Sequence, residues 1–90
     1  MAVGADLPTL AALHRTFNDK AEQALTIRDD VDSGLESAVW TGRFSDDFRT
    51  AWEEYRSNLL TLNEALVGAA EDVKINHNNI AEATGEADRL

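Results

Sequence analysis

The sequence predicts an all-α protein: an antiparallel two-helix hairpin that pairs into a dimeric four-helix bundle. Three observations carry this expectation. Two long stretches place apolar residues at helical spacing. Neither alternates strictly, as a half-buried strand would. Trp40-Thr41-Gly42 stands between them, near the middle of the chain. A Gly that closes one helix, beside a bulky aromatic that wedges into the bend, makes a hairpin of antiparallel helices.

The first helix is expected over about residues 7–39. Pro8 is the only proline, and early in a helix its missing N–H does no harm. Asp6 before it is a candidate N-cap. Leu10, Leu13, Phe17, Ala21, Ala24, Ile27, Val31, Leu35 and Ala38 then recur in steps of three and four, the stripe of a helix packed along its length. Lys20, Glu22, Arg28, Asp29, Asp30 and Asp32 mostly fall off that stripe and should meet water.

The bend is expected at 40–42, where positive φ would be tolerated by Gly42. The second helix is expected over about 43–82. Trp52, Leu59, Leu66, Val73 and Ile80 repeat every seven residues, and Phe48, Tyr55, Leu62, Ala69 and Asn76 form a parallel row. Together the rows read as an a/d seam. Ser45, Asp46 and Asp47 suit the dipole of the first turn. Asn76 would either set register or mark where the seam opens. The weak helix formers Asn76, His77, Asn78 and Asn79 and then Gly85 suggest fraying, with a flexible tail over 83–90.

Helices of this length, about 50 Å each, must lie side by side when so few residues join them. One neighbour covers only one stripe. Leu60 and Val67 beside the seam, and Phe44 and Ala51 near its start, widen the apolar face beyond that. Such a surplus calls for another chain. Ninety residues form a single domain, 1–90, too small to bury much on its own.

Composition narrows the function. The chain carries 8 basic and 17 acidic residues, a net charge of −9. That surface disfavours phosphate backbones and anionic lipid, so no nucleic-acid partner is expected. The chain has no cysteine, which excludes disulfides and thiolate metal sites. Met1 to Asp6 lacks a basic segment followed by an apolar core, so no cleaved signal peptide is expected. No run of about 18 apolar residues occurs, so no stable membrane insertion is expected.

Candidate chemistry is sparse. His14 and His77 belong to no Glu-x-x-His or His-x-x-x-His pair, so no metal site is expected and both read as solvated. The carboxylates form no isolated pair in an apolar setting, and no Ser-His-Asp set or phosphate loop is visible. The expectation is a non-enzymatic protein with no cofactor. Gly34 and Gly68 fall inside helices, where they either permit close approach or lie on an open face.

The central Trp40-Thr41-Gly42, the flanking helices, the chain size, and Phe48 and Trp52 after the Gly together resemble the WXG family. These are the early-secretory-antigen-like substrates of bacterial type VII secretion. The resemblance spans essentially the whole chain. It implies a hairpin that pairs head-to-tail with itself or with a related WXG hairpin. It also implies export in the folded state, without a cleaved signal, by a membrane-embedded type VII ATPase. The protein would then be cytoplasmic before export and extracellular after it.

In that family a Tyr-x-x-x-Asp/Glu motif beyond the second helix of one partner acts with the W-x-G bend of the other. This chain departs from the pattern, because its only tyrosine is Tyr55. Asn78 and Glu82 have the spacing without the ring. Either they form a degenerate signal or, the favoured reading, this chain supplies the bend and a partner supplies the tail. Trp40 and Gly42 are then the recognition residues. Phe17, Ile27, Phe48, Trp52, Tyr55, Leu59, Leu62, Leu66 and Val73 form the hairpin and dimer seams. Competing readings are an intracellular adaptor or chaperone for a larger secreted protein, a helical-bundle metalloenzyme, and a membrane-lytic peptide.

Overall fold

A computed structural model describes residues 6–90. The expectation about a leader within Met1 to Asp6 falls almost wholly outside them. Two helices follow one another, α1 (Leu7–Ser37) and α2 (Arg43–Thr84), and pack along each other as a hairpin. The molecule is a rod of 63 × 18 × 15 Å. Its long axis matches the 42 residues of α2 at about 1.5 Å each.

Each helix starts and stops for a local reason. Pro8 occupies the first turn of α1, as expected. Asp6 sits at the N-cap, but its side chain bonds no backbone N–H. Instead the Thr9 hydroxyl donates to the Asp6 carbonyl at 2.9 Å. α1 ends at Ser37, short of residue 39, where Ala38 turns extended with φ −85° and ψ 138°.

Gly42 does not close α1. It is the N-cap of α2, with φ 108°, so its positive φ serves the start of the second helix. At the far end α2 runs past Glu82 to Thr84 and is closed by Gly85 in the left-handed region, φ 76°. The Glu86 N–H reaches back to the Ala81 carbonyl at 2.8 Å and the Gly85 N–H to Glu82 at 3.3 Å. This pair of bonds satisfies carbonyls the last turn would leave open. The segment expected as a tail therefore begins inside the helix.

The interface between the helices is built from small residues. Its fully buried apolar members are Ala21, Ala24, Ala70, Ala81 and one large side chain, Trp52. Alanines let two backbones approach closely. Side chains then bridge from one helix to the main chain of the other. Asn63 Nδ2 donates to the Ala21 carbonyl at 2.9 Å, and His14 Nδ1 donates to the Ala70 carbonyl at 3.0 Å. Arg56 meets Asp32 at 2.7 Å. The pairs climb one helix as they descend the other, which fixes the antiparallel register.

This register selects a seam on α2 different from the expected one. The Trp52, Leu59, Leu66, Val73, Ile80 row turns inward or stays half-buried. Its companion is Arg49, Asn63, Ala70 and His77, four residues further along the helix rather than three. Phe48, Tyr55, Leu62 and Asn76 lie exposed on the flank. Asn76 is accordingly no seam residue of this hairpin. The reading of both histidines as solvated is corrected as well. His77 is only 3% exposed and His14 is half-buried. Gly34 and Gly68 have open space where a Cβ would stand, so neither permits a close approach.

The total exposed surface is 6411 Å². A compact monomer of this mass would expose roughly 5,200 Å². A two-helix rod leaves the balance, about 1,200 Å², because each helix has only one neighbour.

Candidate functional site

The bend and the outer flank of α2 hold Trp40, Gly42, Phe48, Tyr55 and Leu62 of the residues singled out in the sequence. At the bend a polar lock holds the connection. Ser45, fully buried in the first turn of α2, donates to the Trp40 carbonyl at 2.8 Å. Arg49, one turn on, donates through Nε to Ser45 Oγ at 3.0 Å and through Nη2 to the Leu35 carbonyl at 3.3 Å. α1 has no basic residue in its own last turn. Arg49 supplies positive charge to those open carbonyls from the opposite helix. Its guanidinium also lies 5.9 Å from the Trp40 ring centroid, within cation–π range.

Three aromatic rings continue from this lock. Trp40 and Phe48 have centroids 5.9 Å apart at 47°. Phe48 and Trp52 are 6.2 Å apart and nearly parallel, at 10°. The spacing of four residues brings Phe48 and Trp52 together on one helix face. The ladder runs from the exposed tip to the interior. Trp40 is 41% exposed and Trp52 only 8%. The Trp52 indole N–H donates to Asp32 Oδ1 at 2.8 Å, and Arg56 Nε donates to Asp32 Oδ2 at 2.7 Å. Those two bonds, the indole first and then the guanidinium, hold the Asp32 carboxyl below its ordinary range. The same carboxylate pushes Arg56 up.

Beyond the ladder the apolar row continues outward. Tyr55 is 55% exposed and Leu62 is 48% exposed. Phe44 near the tip is more open still, at 79%. Leu59, Leu66 and Val73 are half-buried, as is Phe17 on α1, whereas Ile27 lies exposed. The seam residues named from sequence thus split into an inner, buried or half-buried set and an outer, exposed set. Asn78 is half-buried and Glu82 is exposed on the last turns of α2.

Sequence reasoning missed Ser45 as a lock, the two arginines of the seam, and His77. One signal was present. Arg49, Arg56, Asn63, Ala70 and His77 repeat every seven residues as regularly as the apolar rows do.

Among the described residues no group of three His, Asp or Glu side chains could hold a metal ion. Nor is any helix there long and apolar enough to cross a membrane. Comparison with protein-family models, with curated proteins and with solved structures returned no match. The molecule is thus defined by its architecture: a helical hairpin with a locked aromatic bend and an apolar flank.

Proposed function

We propose that this protein is one half of a helical pair, a WXG-like hairpin exported folded by a type VII secretion machine as a dimer with a second copy of itself or with a related hairpin. Its action is recognition rather than catalysis. The partner covers the outer flank, and the bend then forms part of the address presented to the export ATPase.

The single observation that carries the reading is the outward row Phe48, Tyr55 and Leu62. It repeats every seven residues along α2 and is exposed throughout. A heptad stripe of large apolar side chains is the knob row of a helix–helix interface. The surface excess of about 1,200 Å² is also of the size one partner buries in a stable complex. The bend supports the rest. Ser45 bonds the Trp40 carbonyl, the Asp46 N–H bonds the Gly42 carbonyl and Arg49 lies over the Trp40 ring, so the exposed ring is presented in a defined pose. No tyrosine stands near Asn78 and Glu82, which favours a partner that brings the tail.

Leu62→Asp tests the pairing. Leu62 is not needed inside the hairpin, so the variant should keep its helix content while the sedimenting mass falls to that of one chain. A charge buried in the interface costs far more than one in water. Unchanged mass would remove the flank from the interface. Trp40→Ala tests the address. It should lower export more than it lowers helix content, and an equal fall in both would make Trp40 structural alone.

A further inference from the structure

The end of the hairpin opposite the bend carries a second feature, unrelated to pairing. There residues 86–90 turn back against the helices. Gly85 in the left-handed region reverses the chain, and Glu86 is fixed to the Ala81 carbonyl. The Arg89 guanidinium donates to the Glu86 carbonyl at 2.7 Å and to the Asp88 carbonyl at 2.9 Å, folding the segment on itself.

Leu90 then meets the side chain of Asn78. Its N–H donates to Asn78 Oδ1 at 2.9 Å, and Asn78 Nδ2 donates to its carbonyl at 3.5 Å. Because the Leu90 N–H can only donate, it fixes which end of the amide is oxygen, and His77 Nδ1 donates to the same Oδ1 at 3.1 Å. Between this segment and the helices lies a cavity of about 330 Å³, lined by Leu7, Pro8, Ala11 and His77 on the helix side and by Asp88, Arg89 and Leu90 on the other.

We infer that this end of the hairpin is a seat for a peptide main chain, centred on Asn78 and taken by the chain's own residues 86–90 as a releasable strap. A carboxamide that offers one acceptor and one donor to the N–H and C=O of a single residue reads backbone, not side chain. Leu7, Pro8 and Ala11 form the apolar part of the cavity beside it, and Leu90 is the aliphatic residue of the strap that lines the same space. The strap is short and already folded by Gly85 and Arg89, so little further order is lost when it seats. A tether of this length holds its occupant at millimolar effective concentration. Release uncovers Leu7, Pro8, Ala11 and His77 and frees Asn78. The inference concerns contacts within one chain and does not depend on export or on a partner.

Amide hydrogen exchange on the full chain, read by NMR, tests it. The Leu90 amide should exchange at least about fivefold slower than in a free peptide, the factor a net hydrogen bond of about 1 kcal/mol provides. Asn78→Ala should return Leu90 to the free rate and leave the amides of Ala24 and Leu66 protected as before. Arg89→Ala, which touches no helix contact, should weaken the protection in part. A synthetic peptide of residues 85–90, at about 10 mM to exceed the tether, should unseat the strap and abolish protection of Leu90. A free exchange rate in the unmodified chain would overturn the inference. So would full protection in Asn78→Ala, or protection indifferent to the peptide. The sedimenting mass of the same samples reads the pairing proposal separately.

Discussion

Asp32 joins the two helices through both of its carboxylate oxygens. One carboxylate oxygen takes the Trp52 indole and the other takes Arg56. Both donors favour the charged form, so the folded-state pKa lies below the unfolded one. The stability this contributes is therefore present above the ordinary carboxylate value of about 3.9 and is lost as pH falls below it. The remaining carboxylates act in the opposite sense, because protonating them relieves the self-repulsion of a chain with net charge −9. Comparing melting of the unmodified chain and Asp32→Asn between about pH 5 and pH 2 separates the two effects. The unmodified chain should lose more stability on acidification than the variant does. Parallel pH curves would remove Asp32 from the lock. The difference should be small, since both charged partners are partly open to water and screened by it.

The two helices and their antiparallel packing were legible as elements, because steps of three and four leave no other regular structure open to these stretches. Which face of α2 would meet α1 was not legible. The apolar pattern on α2 is wide enough for two neighbours, and periodicity does not say which neighbour takes which stripe. Phe48, Tyr55 and Leu62 were therefore merged into one seam with Trp52. In the structure Asn63 and the arginines line the inner seam beside Trp52, because they can satisfy main-chain carbonyls and a carboxylate where alanines let the helices approach. Their polarity hid them.

The glycines separate in the same way. Gly34 lies in an unobstructed helical stretch, so Gly34→Ala should raise stability by about 0.5–1 kcal/mol. Gly42 has equal space but φ 108°. Gly42→Ala should therefore lower stability by about 1–2 kcal/mol through backbone strain alone. Chemical denaturation of the two variants measures both signs, and matching signs would contradict the assignment of the bend.

At the scale of the molecule, two helices 63 Å end to end and 15 Å thick cannot enclose a core. The buried apolar set is four alanines and a tryptophan among the described residues. Alanine burial contributes little, since each removes only a small apolar area from water. Of the larger side chains, Leu59, Leu66 and Val73 are only half-buried, and Phe44, Phe48, Tyr55 and Leu62 are exposed. A second chain laid along the flank would turn Phe48, Tyr55 and Leu62 from exposed groups into a core and leave the bend and its Trp40 ring free at one end.

Thermal unfolding of the purified chain, followed by helix ellipticity across a hundredfold range of protein concentration, tests this dependence most directly. The account predicts a midpoint that climbs with concentration, because association stabilises the folded state by mass action. A sharp transition at one temperature throughout the range, from a species sedimenting at 9.9 kDa, would contradict it.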